Sequence, residues 1–263
     1  MRRKRPKLRS SRPPRKGFYI LPNLMTTASL FCGFYALVAA IHQDFEKASL
    51  AVLASFFFDG LDGRVARATR TTSQFGVEYD SLSDLVAFGV APAVLAFTWT
   101  LSHAGRLGWL AAFLFVACGA LRLARFNTIS LKGGLGYFKG LPIPAAAGFV
   151  ATMVLFTREL DLEGKIPVGL VLGALYVLSF LMVSGIKYQS FKDMEMVKQK
   201  PFQSLVLCVL LLVVVLANPP VTLFLLSSAY VLSGPAGAIK RLLVSGETKA
   251  SVSPAEIKEE EVL

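Results

Sequence analysis

The sequence predicts an all-α fold, a polytopic bundle of transmembrane helices, on three observations. The chain is 54% hydrophobic over 263 residues and only 17% charged, where soluble domains carry roughly 25% charge. Its mean hydropathy is +0.57. Its apolar runs are continuous rather than alternating, which favours helices crossing roughly 30 Å of hydrocarbon over barrel strands.

The elements follow in chain order. Residues 1–16, MRRKRPKLRSSRPPRK, hold nine Lys or Arg and three Pro. No apolar core or cleavage site follows, as a signal peptide would require. The stretch reads as a disordered basic arm, and GFYILPN after it as a short amphipathic piece in the headgroup layer, closed by a turn. The polyanion the arm would meet is membrane lipid, not nucleic acid. Eight spans are then expected, over 24–42, 47–67, 81–102, 108–126, 143–158, 166–184, 202–217 and 220–238. The fifth, rich in Pro, Ala and Gly, reads as tilted or broken. Asn218-Pro219-Pro220 suggests a tight hairpin between the last two. Residues 243–263, ending EIKEEEVL, read as a disordered charged tail.

Orientation comes from Lys and Arg. One face carries 24, spread over the arm, the loops after spans two, four and six, and the tail; the other keeps Lys47, Arg106, Arg158 and Lys165. The positive-inside rule makes the first face cytoplasmic, with both termini inside. Cys32, Cys118 and Cys208 lie singly in apolar segments and read as small buried hydrophobes. His42 and His103 are isolated near helix ends and read as interfacial residues.

One stretch breaks the apolar pattern. DGLDGRVARATRTTSQFGVEYDSLSD, residues 59–84, carries four aspartates, one glutamate and three arginines where span two ends and span three begins. An ionisable group within a membrane helix costs roughly 2.5–3.5 kcal/mol on insertion scales. Asp59 and Asp62 are three apart and Asp80 and Asp84 four apart, so each pair shares a helix face. Two antiparallel helices would bring the pairs opposite each other. Converging carboxylates repel unless a cation lies between them, and hard oxygen ligands suit Mg²⁺, Mn²⁺ or Ca²⁺. The competing reading is a set of salt bridges to Arg64, Arg67 and Arg70. Gly60, Gly63 and Gly76 favour the metal reading, because they are poor helix formers that permit close backbone approach.

Asp59-x2-Asp62-Gly63-x2-Ala66-Arg67-x8-Gly76-x3-Asp80-x3-Asp84 resembles, at every position, the signature of the CDP-alcohol phosphatidyltransferase family. That resemblance implies transfer of a phosphatidyl group from a CDP-linked lipid, here CDP-diacylglycerol, to an alcohol with release of CMP. It also implies a six-helix core opening to the cytoplasm, usually in a homodimer, with spans seven and eight as an addition. By resemblance Asp59, Asp62, Asp80 and Asp84 are ligands of Mg²⁺ or Mn²⁺ in a two-metal site, and Asp84 is also the general base. Gly63, Ala66, Arg67, Ser73 and Gly76 fall to the CDP-lipid. No family role attaches to Arg64 or Arg70.

Leu21-Pro22-Asn23, LRLARFN at 121–127, FKGLPIPAAAG at 138–148 and LMVSGIKYQSFK at 181–192 are similar to segments of the family's integral-membrane, serine-using branch. They imply L-serine as the acceptor, with Arg122, Arg125, Asn127, Lys139, Lys187 and Tyr188 as acceptor-binding candidates. A guanidinium offers the bidentate geometry a carboxylate prefers, although a phosphate-bearing acceptor would use the same cations. The expected organisation is a basic arm (1–16), a family core (17–192), a two-helix extension (193–242) and a charged tail (243–263). A membrane prenyltransferase would space its aspartates differently. A transporter would bury its carboxylates near the midplane, not at one face.

Overall fold

The computed structural model describes residues 20–69, 73–130, 138–162, 164–188 and 201–250. Within them lie eight helices: α1 Ile20–Ile41, α2 Phe45–Thr69, α3 Gln74–Trp99, α4 Arg106–Ser130, α5 Ile143–Glu159, α6 Val168–Val183, α7 Pro201–Ala217 and α8 Pro219–Ala250. Each expected span corresponds to one helix. Four of them, within α1, α3, α4 and α8, are long and apolar enough to cross a membrane. The basic arm and residues 251–263 lie outside the described residues.

Several local expectations change. No turn separates ILPN from the first span, because α1 begins at Ile20. Pro22 sits in the first helical turn, where its missing N–H leaves no bond unmade. α5 is unbroken: Pro142 is its N-cap and Pro144 occupies the first turn, positions that start a helix and do not kink it. α8 runs on to Ala250 through Pro235, well past the expected end at 238. Asn218 alone joins α7 to α8, its Oδ1 accepting from the Val221 N–H at 3.3 Å as an N-cap.

α1 and α2 are paired by small residues. Ser29 Oγ donates to the Ser55 carbonyl and Ser55 Oγ to the Ser29 carbonyl, both at 3.2 Å. Interhelical hydrogen bonds and close packing drive association in lipid, where large apolar side chains gain nothing by leaving acyl chains. α1 also meets α3 closely, since a Cβ on Gly33 would stand 2.6 Å from Ala87 Cα. Large side chains such as Phe31, Phe34 and Phe180 point outward.

α3 contains a π-helical turn, Leu85–Val90, directly after Asp84. Such wide turns recur at functional sites. α5 is the most enclosed element, with Ile143, Ala146, Ala147, Val150 and Ala151 fully buried. α8 packs along it: Thr152 Oγ1 lies 2.9 Å from Ser227 Oγ, and Phe156 stacks on Phe224. Val231 joins the main core, so α8 is built into the bundle. A two-residue ribbon completes the fold, pairing Phe138 with Tyr188 and Lys139 with Lys187. Gly140 after it has φ 84°, and a Cβ there would run into the Met182 carbonyl oxygen.

Candidate active site

The four aspartates arrive from two helices. Asp59 and Asp62 project from α2; Asp80 and Asp84 project from the first part of α3. Ser73 caps α3 by accepting from the Gly76 N–H at 3.0 Å, which fixes where the Asp80 turn begins. A Cβ on Gly76 would lie 3.1 Å from Ser73 Oγ and 3.4 Å from Asn23 Oδ1. The glycine thus lets α3 start against α1.

Oxygens of Asp59, Asp62 and Asp80 lie within 4.8 Å of one another. Asp84 is in hydrogen-bonding contact with Asp59, as Asp80 is with Asp62. Asp62 is 8% exposed, and its Oδ2 accepts from Thr26 Oγ1 at 3.0 Å. Asp80 Oδ1 is buried and has no hydrogen-bond partner among the described residues. A buried, unpartnered carboxylate oxygen beside two more carboxylates is strongly unfavourable by itself. A divalent cation removes both problems, and an all-oxygen donor set suits a hard one. The residues present fit a metal.

Beside the carboxylates opens a cleft of about 370 Å³, bordered by Asp80, Asp84, Ser81, Glu78, Phe126 and Asn127. α4 supplies its far wall, where Asn127 Nδ2 donates to Ser81 Oγ at 2.9 Å. Arg122, five residues earlier in α4, is 8% exposed, and its Nε has no hydrogen-bond partner among the described residues. It lies within electrostatic range of the Asp84 carboxylate.

The other expected residues are distributed unequally. Arg125 donates from Nη1 to the Val183 carbonyl at 3.1 Å and from Nη2 to the Ser184 carbonyl at 3.5 Å, tying α4 to the end of α6. Tyr188 does not face the cleft. Its side chain is 1% exposed and its hydroxyl donates to the Val231 carbonyl at 3.0 Å, so core packing and a satisfied phenol explain it. Lys139 and Lys187 face each other across the ribbon, with side chains outside the described residues, as are those of Ala66 and Arg67 in the last turns of α2. Gly63 lies in α2, one residue past Asp62.

One contributor was not expected. Thr26 reads in sequence as one more small residue in an apolar run, and only the fold brings it to Asp62.

The profile of the CDP-alcohol phosphatidyltransferases matches residues 19–183. The chain belongs to the CDP-alcohol phosphatidyltransferase family. The match takes in α1 to α6 with all four aspartates. Among similar proteins, a CDP-diacylglycerol–serine O-phosphatidyltransferase of Helicobacter pylori is 45% identical over 183 residues, 69% of this chain and 77% of the relative. Proteins with the same name are 37% identical in Bacillus subtilis, over 65% of this chain and 91% of the relative, and 42% identical in Methanocaldococcus jannaschii, over 54% and 63%.

Proposed function

We infer that the protein is a CDP-diacylglycerol–serine O-phosphatidyltransferase of the membrane. The observation that carries this reading is the convergence of Asp59, Asp62 and Asp80, with Asp84 beside them, at one end of the bundle. It is joined by similarity to relatives that bear that name.

In the proposed reaction Asp59, Asp62, Asp80 and Asp84 would hold Mg²⁺ or Mn²⁺ as a two-ion site. The bound metal would neutralise the diphosphate of CDP-diacylglycerol and the charge developing on departing CMP. Gly63, Ala66, Arg67, Ser73 and Gly76 form the CDP side, with the small residues admitting the nucleotide to the backbone. The serine hydroxyl oxygen attacks the phosphorus that bears the diacylglycerol. The bond from that phosphorus to the CMP oxygen breaks, and Asp84 takes the hydroxyl proton. Arg122, Arg125, Asn127, Lys139 and Lys187 form the acceptor side, where a guanidinium holds the serine carboxylate. Tyr188 supports that wall from behind.

The remaining features follow from charge and resemblance. All eight helices cross the membrane, with α1–α6 as the catalytic core and α7 and α8 as a C-terminal pair. The active site and both termini face the cytoplasm. The basic arm lies against anionic headgroups, and two copies form a homodimer.

The test compares L-serine, glycerol 3-phosphate and inositol phosphate as acceptors in CMP release from CDP-diacylglycerol by purified protein. Release that depends on serine supports the reading. Release with another alcohol keeps the carboxylate chemistry and discards the acceptor side built on Arg122.

A further inference from the structure

The cleft beside the metal-ligating aspartates is acidic on its walls as well. Asp80 and Asp84 border it, and so does a further carboxylate, Glu78, which is not one of the three that converge with Asp59 and Asp62. Among the described residues that line the cleft there is no Lys or Arg. A cation held by the aspartates would leave Glu78 as the charge that whatever enters the cleft must satisfy.

The groups around Glu78 are set to accept hydrogen bonds. Gln74 Nε2, one turn back along α3, donates to Glu78 Oε1 at 3.0 Å, which steadies the carboxylate and leaves Oε2 to accept from another group. On the α4 wall the Asn127 amide is oriented by a relay. Ser81 Oγ gives its proton to the Val77 carbonyl at 3.0 Å, so toward Asn127 it can only accept. The 2.9 Å contact between them therefore fixes Nδ2 as the engaged end of the amide and Oδ1 as the free one.

Glu78 is exposed, and a single exposed ion pair contributes little. A carboxylate and an amide oxygen bordering one cleft do more when both accept from the same group. A primary ammonium, a compact cation with three donors and no acceptor, suits that pair. A phosphate dianion meets repulsion there. In serine the ammonium is one carbon from the hydroxymethyl group, so a hydroxyl brought to Asp84 carries the ammonium into the same cleft.

We propose that Glu78 is a specificity-determining residue of the acceptor site: with Asn127 Oδ1 it receives the serine ammonium, and its charge turns away alcohols that bear a phosphate. The basic residues leave that choice open, since a serine carboxylate and a phosphate use the same cations; the ammonium separates them. This rests on the reading of serine as the acceptor and deepens it.

The test uses the full-length protein unmodified and as Glu78→Gln, which removes the charge at nearly constant shape, with Glu78→Asp keeping the charge on a shorter stem. CMP release gives the KM for L-serine and for CDP-diacylglycerol, and 3-hydroxypropionate, which is serine without its amino group, is titrated as a competitor of serine. Glu78→Gln is expected to raise the serine KM about tenfold, as when a charge-assisted hydrogen bond becomes a neutral one. The KM for CDP-diacylglycerol should stay within about twofold. The inhibition constant of 3-hydroxypropionate should be no higher in Glu78→Gln than in the unmodified protein, and Glu78→Asp should fall between the two in serine KM. If the unmodified protein does not use serine, the acceptor reading falls and this inference with it. If it does use serine, three results would overturn the role of Glu78 alone: an unchanged serine KM in Glu78→Gln, an equal rise in both KM values, or a matching rise in the inhibition constant of 3-hydroxypropionate.

Discussion

Thr26 Oγ1 donates to Asp62 Oδ2 at 3.0 Å, so α1, which contributes no carboxylate, orients one of the four. The same threonine accepts at its carbonyl from Ser83 Oγ at 3.1 Å, next to Asp84. α1 thereby ties the α2 half of the site to the α3 half. Groups that hold a metal-ligating carboxylate in place commonly govern metal affinity as strongly as some ligands do.

Thr26→Val removes that donor at nearly constant volume. Metal affinity and activity are expected to fall together by about 10–100-fold, with Thr26→Ser recovering most of both. A metal titration of CMP release measures this. A loss of rate at unchanged metal affinity would mean that Thr26 serves only to pack α1.

The two α3 aspartates are expected to separate binding from chemistry. Asp84→Asn is expected to keep metal and CDP-lipid binding while lowering kcat by at least about 100-fold, the usual range for loss of a general base. Asp80→Ala should lose both, because it deletes an oxygen from the three-carboxylate cluster. Equilibrium binding of CDP-diacylglycerol beside single-turnover rates distinguishes the two. A near-normal rate in Asp84→Asn would make another group the base.

Gly33 tests the closeness of α1 and α3. Its Cβ would lie 2.6 Å from Ala87 Cα and 2.8 Å from Ala87 Cβ, backbone and stub atoms that cannot swing aside. Gly33→Ala is expected to destabilise the protein by about 1–3 kcal/mol, as overpacking does. Gly173→Ala in α6, with open space around it, should be neutral or slightly stabilising. Thermal unfolding in detergent provides the comparison.

Tyr188→Phe keeps the ring and removes the hydrogen bond to Val231. A cost of about 1 kcal/mol is expected, the net worth of a typical buried bond, with the serine KM unchanged within about twofold. A large rise in that KM alone would return Tyr188 to direct acceptor contact.

What the sequence could and could not disclose follows from range. The eight helices were legible because each apolar run is local and carries its helical signal within its own residues. Asp59, Asp62, Asp80 and Asp84 were legible because helical spacing alone puts each pair on one face. The π turn at Leu85–Val90 was not, since nothing in the composition of that apolar run marks it. Tyr188 was misplaced for a related reason: it belongs to a basic, polar stretch, and only the docking of α8 turns it inward. Thr26 acts across the fold, where a single sequence carries no record of the partner.

The central claim is that the carboxylate cluster, with its metal, transfers a phosphatidyl group to serine. The most direct measurement is phosphatidylserine and CMP formed from CDP-diacylglycerol and L-serine by the purified protein, before metal removal, after it, and after Mg²⁺ or Mn²⁺ is restored. The predicted result is equal amounts of both products, abolished by stripping and recovered with either ion. Undiminished product from fully stripped protein, or none from folded protein supplied with both ions, would contradict it.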